Sequence, residues 1–221
     1  MSCAGFDPAF INCPGPIFMS FFYFAANENQ QPPVYTFEMT QTEQKTVRRA
    51  ASGDRIAFRE LVLEHSNAMF RLAWRLSGDE SMADDIVQDA FIKAWRKIGD
   101  FRMQSSFRSW LHRITVNTAM DHLRKQARQR KFETTEPEWE RIEQASTLPR
   151  HDLEIDVQAE TRTALMTLSE QERSALLLKH FEGHSISEIA NILNLSSGAC
   201  KQTVFRAVKK MRVALQPLVA T

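Results

Sequence analysis

The chain has 221 residues, 43% of them hydrophobic and 25% charged, and a formal net charge of +1. With only 7 glycines and 8 prolines it does not read as a turn-rich β protein, and its 3 cysteines (3, 13 and 200) are odd in number and lack metal-ligand spacing, which speaks against a disulfide framework or a zinc site. The near-neutrality is a cancellation: Phe101 to Lys131 hold eight lysines and arginines against Asp121 alone, whereas Phe132 to Glu160 hold nine acids against Arg141 and Arg150.

Residues 1–40 contain the apolar run Ile17 to Ala26, which has the length of a signal-peptide core. No Lys or Arg precedes it and no small-residue cleavage site follows. It is also too short to span a bilayer. Residues 1–40 are therefore read as a disordered extension or a mis-called start, with Met39 opening a chain that does not insert into membrane. The cysteine usage suits a reducing cytoplasm.

From there on the periodicity predicts helices only. Val47 to Ala50 and Ala57 to Leu76 repeat apolar residues at three- and four-residue steps, and Ser77-Gly78-Asp79 interrupts them. Ser81 with Asp84 resembles a capping start for a helix carrying Ile86, Val87, Ala90, Phe91, Ala94, Trp95 and Ile98. After a polar loop, Arg102 to Ser106, a helix over about 107–130 shows the stripe Trp110, Leu111, Ile114, Val116, Ala119 and Leu123. Residues 132–160 lose the pattern, hold Pro137 and Pro149 and concentrate acid, the composition of a flexible linker.

Order resumes with two capping boxes, Ser169 with Glu172 and Ser185 with Glu188, each opening a short apolar-striped helix. A tight turn over Asn194 to Ser197 leads to a last helix ending near Leu215. The arrangement is a helix-turn-helix signature. The predicted fold is all-α: two small helical domains, 44–131 and 161–216, joined by the acidic linker.

The last helix carries Lys201, Gln202, Thr203, Arg206, Lys209, Lys210 and Arg212, with no acid among them. Lys201, Gln202 and Arg206 lie where a recognition helix meets base edges, Lys209 and Lys210 where it meets phosphates. The plainer alternative is a solvated basic face, and the preceding helix and turn favour DNA. Cys200 sits among apolar neighbours as a small core residue. Asp85, Gln88 and Asp89 share one helix face. No nucleophile, general-base histidine or phosphate loop accompanies them, so catalysis is not indicated. His180 and His184 flank Gly183 and do not make a metal motif, and His65, His112, His122 and His151 form no constellation. No cofactor is implied.

Two segments resemble a known family. Residues 85–96 (DIVQDAFIKAWR), Phe101-Arg102 and residues 106–117 (SFRSWLHRITVN) resemble the second conserved domain of bacterial sigma factors, most closely the extracytoplasmic-function group. Residues 188–212 (EIANILNLSSGACKQTVFRAVKKMR) are similar to that family's fourth domain. The resemblance implies an alternative sigma factor, not an enzyme, whose partners are core RNA polymerase, promoter DNA in duplex and single-stranded form, and an anti-sigma factor. It implies that the helix with Asp85, Gln88 and Asp89 docks on polymerase. It further implies that Phe101, Arg102 in the following loop, and Asn117 capture an unpaired base of the minus-ten element, while Arg113, Arg124, Lys125 and Arg128 hold the backbone. An extruded base needs an aromatic or apolar pocket and an amide for its Watson–Crick edge, which suits Phe101 and Asn117. Trp110 is read as core, and Phe107 as core or loop. Lys201, Gln202, Thr203 and Arg206 match positions that read the minus-thirty-five element, although Lys201-Gln202-Thr203 replaces the family's usual basic-serine-arginine run. The rival reading is a free-standing helix-turn-helix regulator that binds duplex promoter DNA without polymerase; such a protein has no reason to carry the stretch Phe101 to Asn117.

Overall fold

In the computed structural model, residues 39–132 and 159–219 are described, and every regular element among them is helical. The run Ile17 to Ala26, the linker over 133–158 and His151 lie outside the described residues. The first domain contains α1 (Gln41–Ala51), α2 (Arg55–Ser77), α3 (Glu80–Lys97), a 3-10 turn (Ile98–Asp100) and α4 (Phe107–Phe132). The second contains α5 (Ala159–Met166), α6 (Glu170–His180), α7 (Ile186–Leu193) and α8 (Ser197–Val219). Among the described residues no helix is long and apolar enough to cross a membrane.

Short polar side chains start most of these helices by accepting from first-turn amides. Thr40 caps α1 through Glu43 N, and Asp54 caps α2 through Ile56 N and Ala57 N. Both predicted capping boxes form, with Ser169 and Ser185 bonded reciprocally to Glu172 and Glu188. One expectation is corrected: α3 is capped by Asp79, whose carboxylate accepts from Met82 N at 2.7 Å, and Ser81 lies inside the helix. Gly78, just before it, closes α2 in the left-handed region at φ +75°, so the helix is capped two residues earlier than the Ser81 motif requires. Asn194 closes α7 the same way at φ +53°, a conformation asparagine tolerates better than most residues.

The apolar stripes build two cores. One lies inside the first domain: Val47, Ala50, Ala57, Leu61, Met69, Phe91, Ala94, Ile98, Phe107 and Leu111. The other crosses between domains, joining Leu72, Leu76, Ile86, Val116 and Ala119 to Leu165, Leu168, Leu176, Leu177, Ile189 and further residues of α5–α8. The two domains therefore pack against each other. Arg173 on α6 is 7% exposed, donates to the carbonyls of Leu165, Met166 and Leu168, and reaches across to the Leu76 carbonyl at the end of α2. Met166 lies so close to Gly78 that a Cβ there would meet its sulfur at 2.8 Å.

Candidate polymerase and nucleic-acid interface

On α3, Ala83, Ile86, Ala90, Phe91 and Ala94 turn inward and leave Asp85 and Gln88 exposed on the opposite face. Asp89 is half-buried because its carboxylate meets His122 Nε2 on α4 at 2.8 Å. His122 thus belongs to the edge of this acidic face, a pairing 33 residues apart that spacing along a helix does not reveal. Lys93 extends the contact between the helices, donating to Thr118 at 3.1 Å.

The 3-10 turn delivers Phe101 onto an aromatic stack. Its ring centroid lies 5.0 Å from Trp110 and 6.0 Å from Phe107. Phe107 is fully buried and Trp110 packs against the same core, so both serve as the backing for Phe101, which stays half-exposed. In the loop that follows, Arg102 is exposed, and Met103 holds a left-handed φ of +53° that is uncommon for its residue type.

Helix α4 presents three faces. Phe107 and Leu111 enter the first-domain core, while Val116 and Ala119 enter the shared one. This divides the single apolar stripe read from sequence. The third face is solvent: Arg113, Asn117, Arg124 and Arg128 fall within about 60° of arc at 3.6 residues per turn, and all are exposed. Lys125, also exposed, flanks them. Asp121 moderates the row, 4.0 Å from Arg124.

In the second domain Cys200, Thr203, Ala207, Met211 and Leu215 are the inward stripe of α8. Burial pushes the Cys200 thiol above its usual range, against the pull of nearby Lys179, as befits an inert core residue. Lys201, Gln202, Arg206 and Lys209 point to solvent. Thr203 does not: it is 2% exposed and its hydroxyl donates to the Ala199 carbonyl at 2.9 Å. The expectation that Thr203 meets DNA is corrected here, because a residue three beyond Cys200 shares its buried side. Lys210 Nζ is held 2.7 Å from Glu172, with Arg206 4.0 Å from the same carboxylate. Phe205 was missed by the sequence reading; it is 63% exposed beside Arg206. The reading of His112 and His184 is also corrected: they meet at 2.7 Å across the domain seam.

A family profile described as Sigma-70 region 2 matches residues 61–129, and one described as Sigma-70 region 4 matches residues 158–211. The chain belongs to the sigma-70 family, in its extracytoplasmic-function group. This sigma factor is 35% identical over 185 residues to the RNA polymerase sigma-H factor of Pseudomonas aeruginosa, covering 80% of this chain and 96% of that one. It is 33% identical over 187 residues to the ECF RNA polymerase sigma-E factor of Escherichia coli, with 80% and 96% covered. Among solved structures, the sigma factor RpoE in complex with the anti-sigma factor NepR from Bartonella quintana superposes with a TM-score of 0.60 at 30% identity, over 72% of this chain and 96% of that one.

Proposed function

We propose that this alternative sigma factor divides its work among the three exposed surfaces. It acts with RNA polymerase to confer promoter recognition. In the proposed division, Asp85, Gln88 and Asp89 on α3 dock on core polymerase, with His122 fixing the carboxylate of Asp89. Phe101, supported by Trp110 and Phe107, and Asn117 receive an extruded base of the minus-ten strand, while Arg102, Arg113, Arg124, Lys125 and Arg128 neutralise its phosphates. Lys201, Gln202 and Arg206 read base edges of the duplex minus-thirty-five element, and Lys209 and Lys210 meet its backbone. Phe205 adds an apolar surface suited to a thymine methyl. The chain supplies binding energy that offsets strand separation; the chemistry belongs to polymerase. An anti-sigma protein is its proposed regulator, by analogy with the Bartonella quintana complex.

The observation that carries this reading is the exposed row Arg113, Asn117, Arg124 and Arg128 beside an aromatic stack that leaves Phe101 open. A free-standing helix-turn-helix regulator would need only α7 and α8. The test is reconstitution with core polymerase on promoter DNA. Asn117→Ala should lower open-complex formation at least tenfold while duplex binding by α8 persists, and Asp85→Arg should weaken association with core. Promoter selectivity that does not depend on this chain, or normal melting by Asn117→Ala, would overturn the reading.

A further inference from the structure

The seam between the domains buries more charge than a static contact needs. His112 on α4 is fully buried and His184, just before α7, is 5% exposed; His112 Nδ1 lies 2.7 Å from His184 Nε2, with the rings edge-to-face. One ring must donate and the other accept, so at least one is neutral. Glu182 is the nearest acid, but it is already engaged: Arg108 Nη2 bonds it at 2.8 Å, and Arg75, which also lies over the Phe181 ring, is 4.0 Å away. Glu182 Oε2 is 3.4 Å from His112 Nε2, Glu188 is 3.9 Å from His184 Nδ1, and His65 on α2 adds further positive charge if protonated. Two arginines already share the buried Glu182 carboxylate, which leaves only the part-exposed Glu188, on the His184 side, to balance a pair of imidazolium rings.

We propose that the His112–His184 contact is a proton-operated latch that keeps the two domains closed while one ring is neutral and releases them when both are charged. Burial, then the neighbouring His184, Arg108 and His65, hold His112 well below the usual histidine range. Burial also lowers His184, although Glu188 and Glu182 oppose it. In the separated state both rings meet water and return to about 6.5. A group depressed in the closed state stabilises that state fully above the open-state value and loses the contribution as pH falls. Between pH 7.5 and 5.5 the closed-to-open ratio therefore drops about tenfold for each ring kept neutral. Opening has a use. Elements named minus ten and minus thirty-five lie roughly 25 base pairs, or about 85 Å of B-DNA, apart. A closed body of this size has a radius of gyration of only about 15 Å. Both elements are out of reach at once until the seam parts.

The test uses the free full-length chain, so its failure leaves the sigma-factor reading standing. Small-angle scattering and far-UV circular dichroism are followed together from pH 7.5 to 5.5. The radius of gyration should rise below about pH 6.5 with helix content unchanged, and the double variant His112→Gln/His184→Gln should lose that pH dependence. A wild-type radius that stays constant, a variant that opens with the same pH profile, or helix loss in step with opening would each overturn the latch. Should the variant already be open at pH 7.5, imidazole NMR of the wild type decides: both rings titrating at the ordinary value within the compact form refutes the proposal, and depressed titration linked to expansion supports it.

Discussion

Arg173→Met removes the buried guanidinium that ties α6 to the preceding turn and to the first domain. Its donors reach the carbonyls of Leu165 at 3.0 Å, Leu168 at 3.2 Å, Met166 at 3.4 Å and Leu76 across the seam. Leu165 O also accepts the Leu168 amide at 3.2 Å, so three carbonyls bear most of the loss. Hydrogen bonds from a charged donor contribute about 1.5–3 kcal/mol each, but relieving the desolvation of a buried cation offsets a large part. Methionine fills the space of the arginine stem, so little cavity cost is added. The net destabilisation should be about 2–4 kcal/mol, or a fall in Tm of roughly 5–15 °C for a body of this size. Urea and thermal unfolding by circular dichroism measure it, with Arg173→Lys as the companion, since a point ammonium cannot fork to several carbonyls and should recover less than half. A loss below about 1 kcal/mol, or full recovery by lysine, would refute the view that this guanidinium clamps the seam.

Two further outcomes follow from α8 and α6. Gln202→Ala should weaken binding to duplex minus-thirty-five DNA by about 1–3 kcal/mol, whereas Thr203→Val should change it less than twofold, because its hydroxyl is spent on the Ala199 carbonyl; filter binding or fluorescence anisotropy at fixed salt separates them. Glu172 is the carboxylate on which Ser169 and Lys210 converge; burial alone would raise it, yet these hydrogen bonds hold it below its ordinary value of 4.5. A carboxyl depressed in the native state stabilises it above that ordinary value and loses the contribution as pH falls below it. Wild-type stability should therefore fall more steeply than that of Glu172→Gln from about pH 5 downward, in a series of urea titrations, and parallel slopes would remove Glu172 from the account.

The helices and the basic rows were legible because their signals are local. A capping box spans four residues, and both Ser169–Glu172 and Ser185–Glu188 formed as read. Where two cap-capable residues compete within three positions, as Asp79 and Ser81 do, the outcome depends on the left-handed turn at Gly78. Thr203 was legible in principle, since Cys200, Thr203 and Ala207 form one inward stripe; its place in the family motif points the other way, and the periodicity prevails.

By itself the chain of residues determined an all-α protein with an acidic face on α3, a basic row on α4 and a basic recognition helix, since three- and four-residue spacing decides which side chains share a face. Tertiary structure alone decided that α4 has two buried faces instead of one, that His122 meets Asp89, and that the domains share a core. The reason is distance along the chain. His112 and His184 are 72 residues apart and Arg173 and Leu76 are 97 apart, and no helical period relates such positions. Only the packing of one domain's leftover apolar face against the other brings them together.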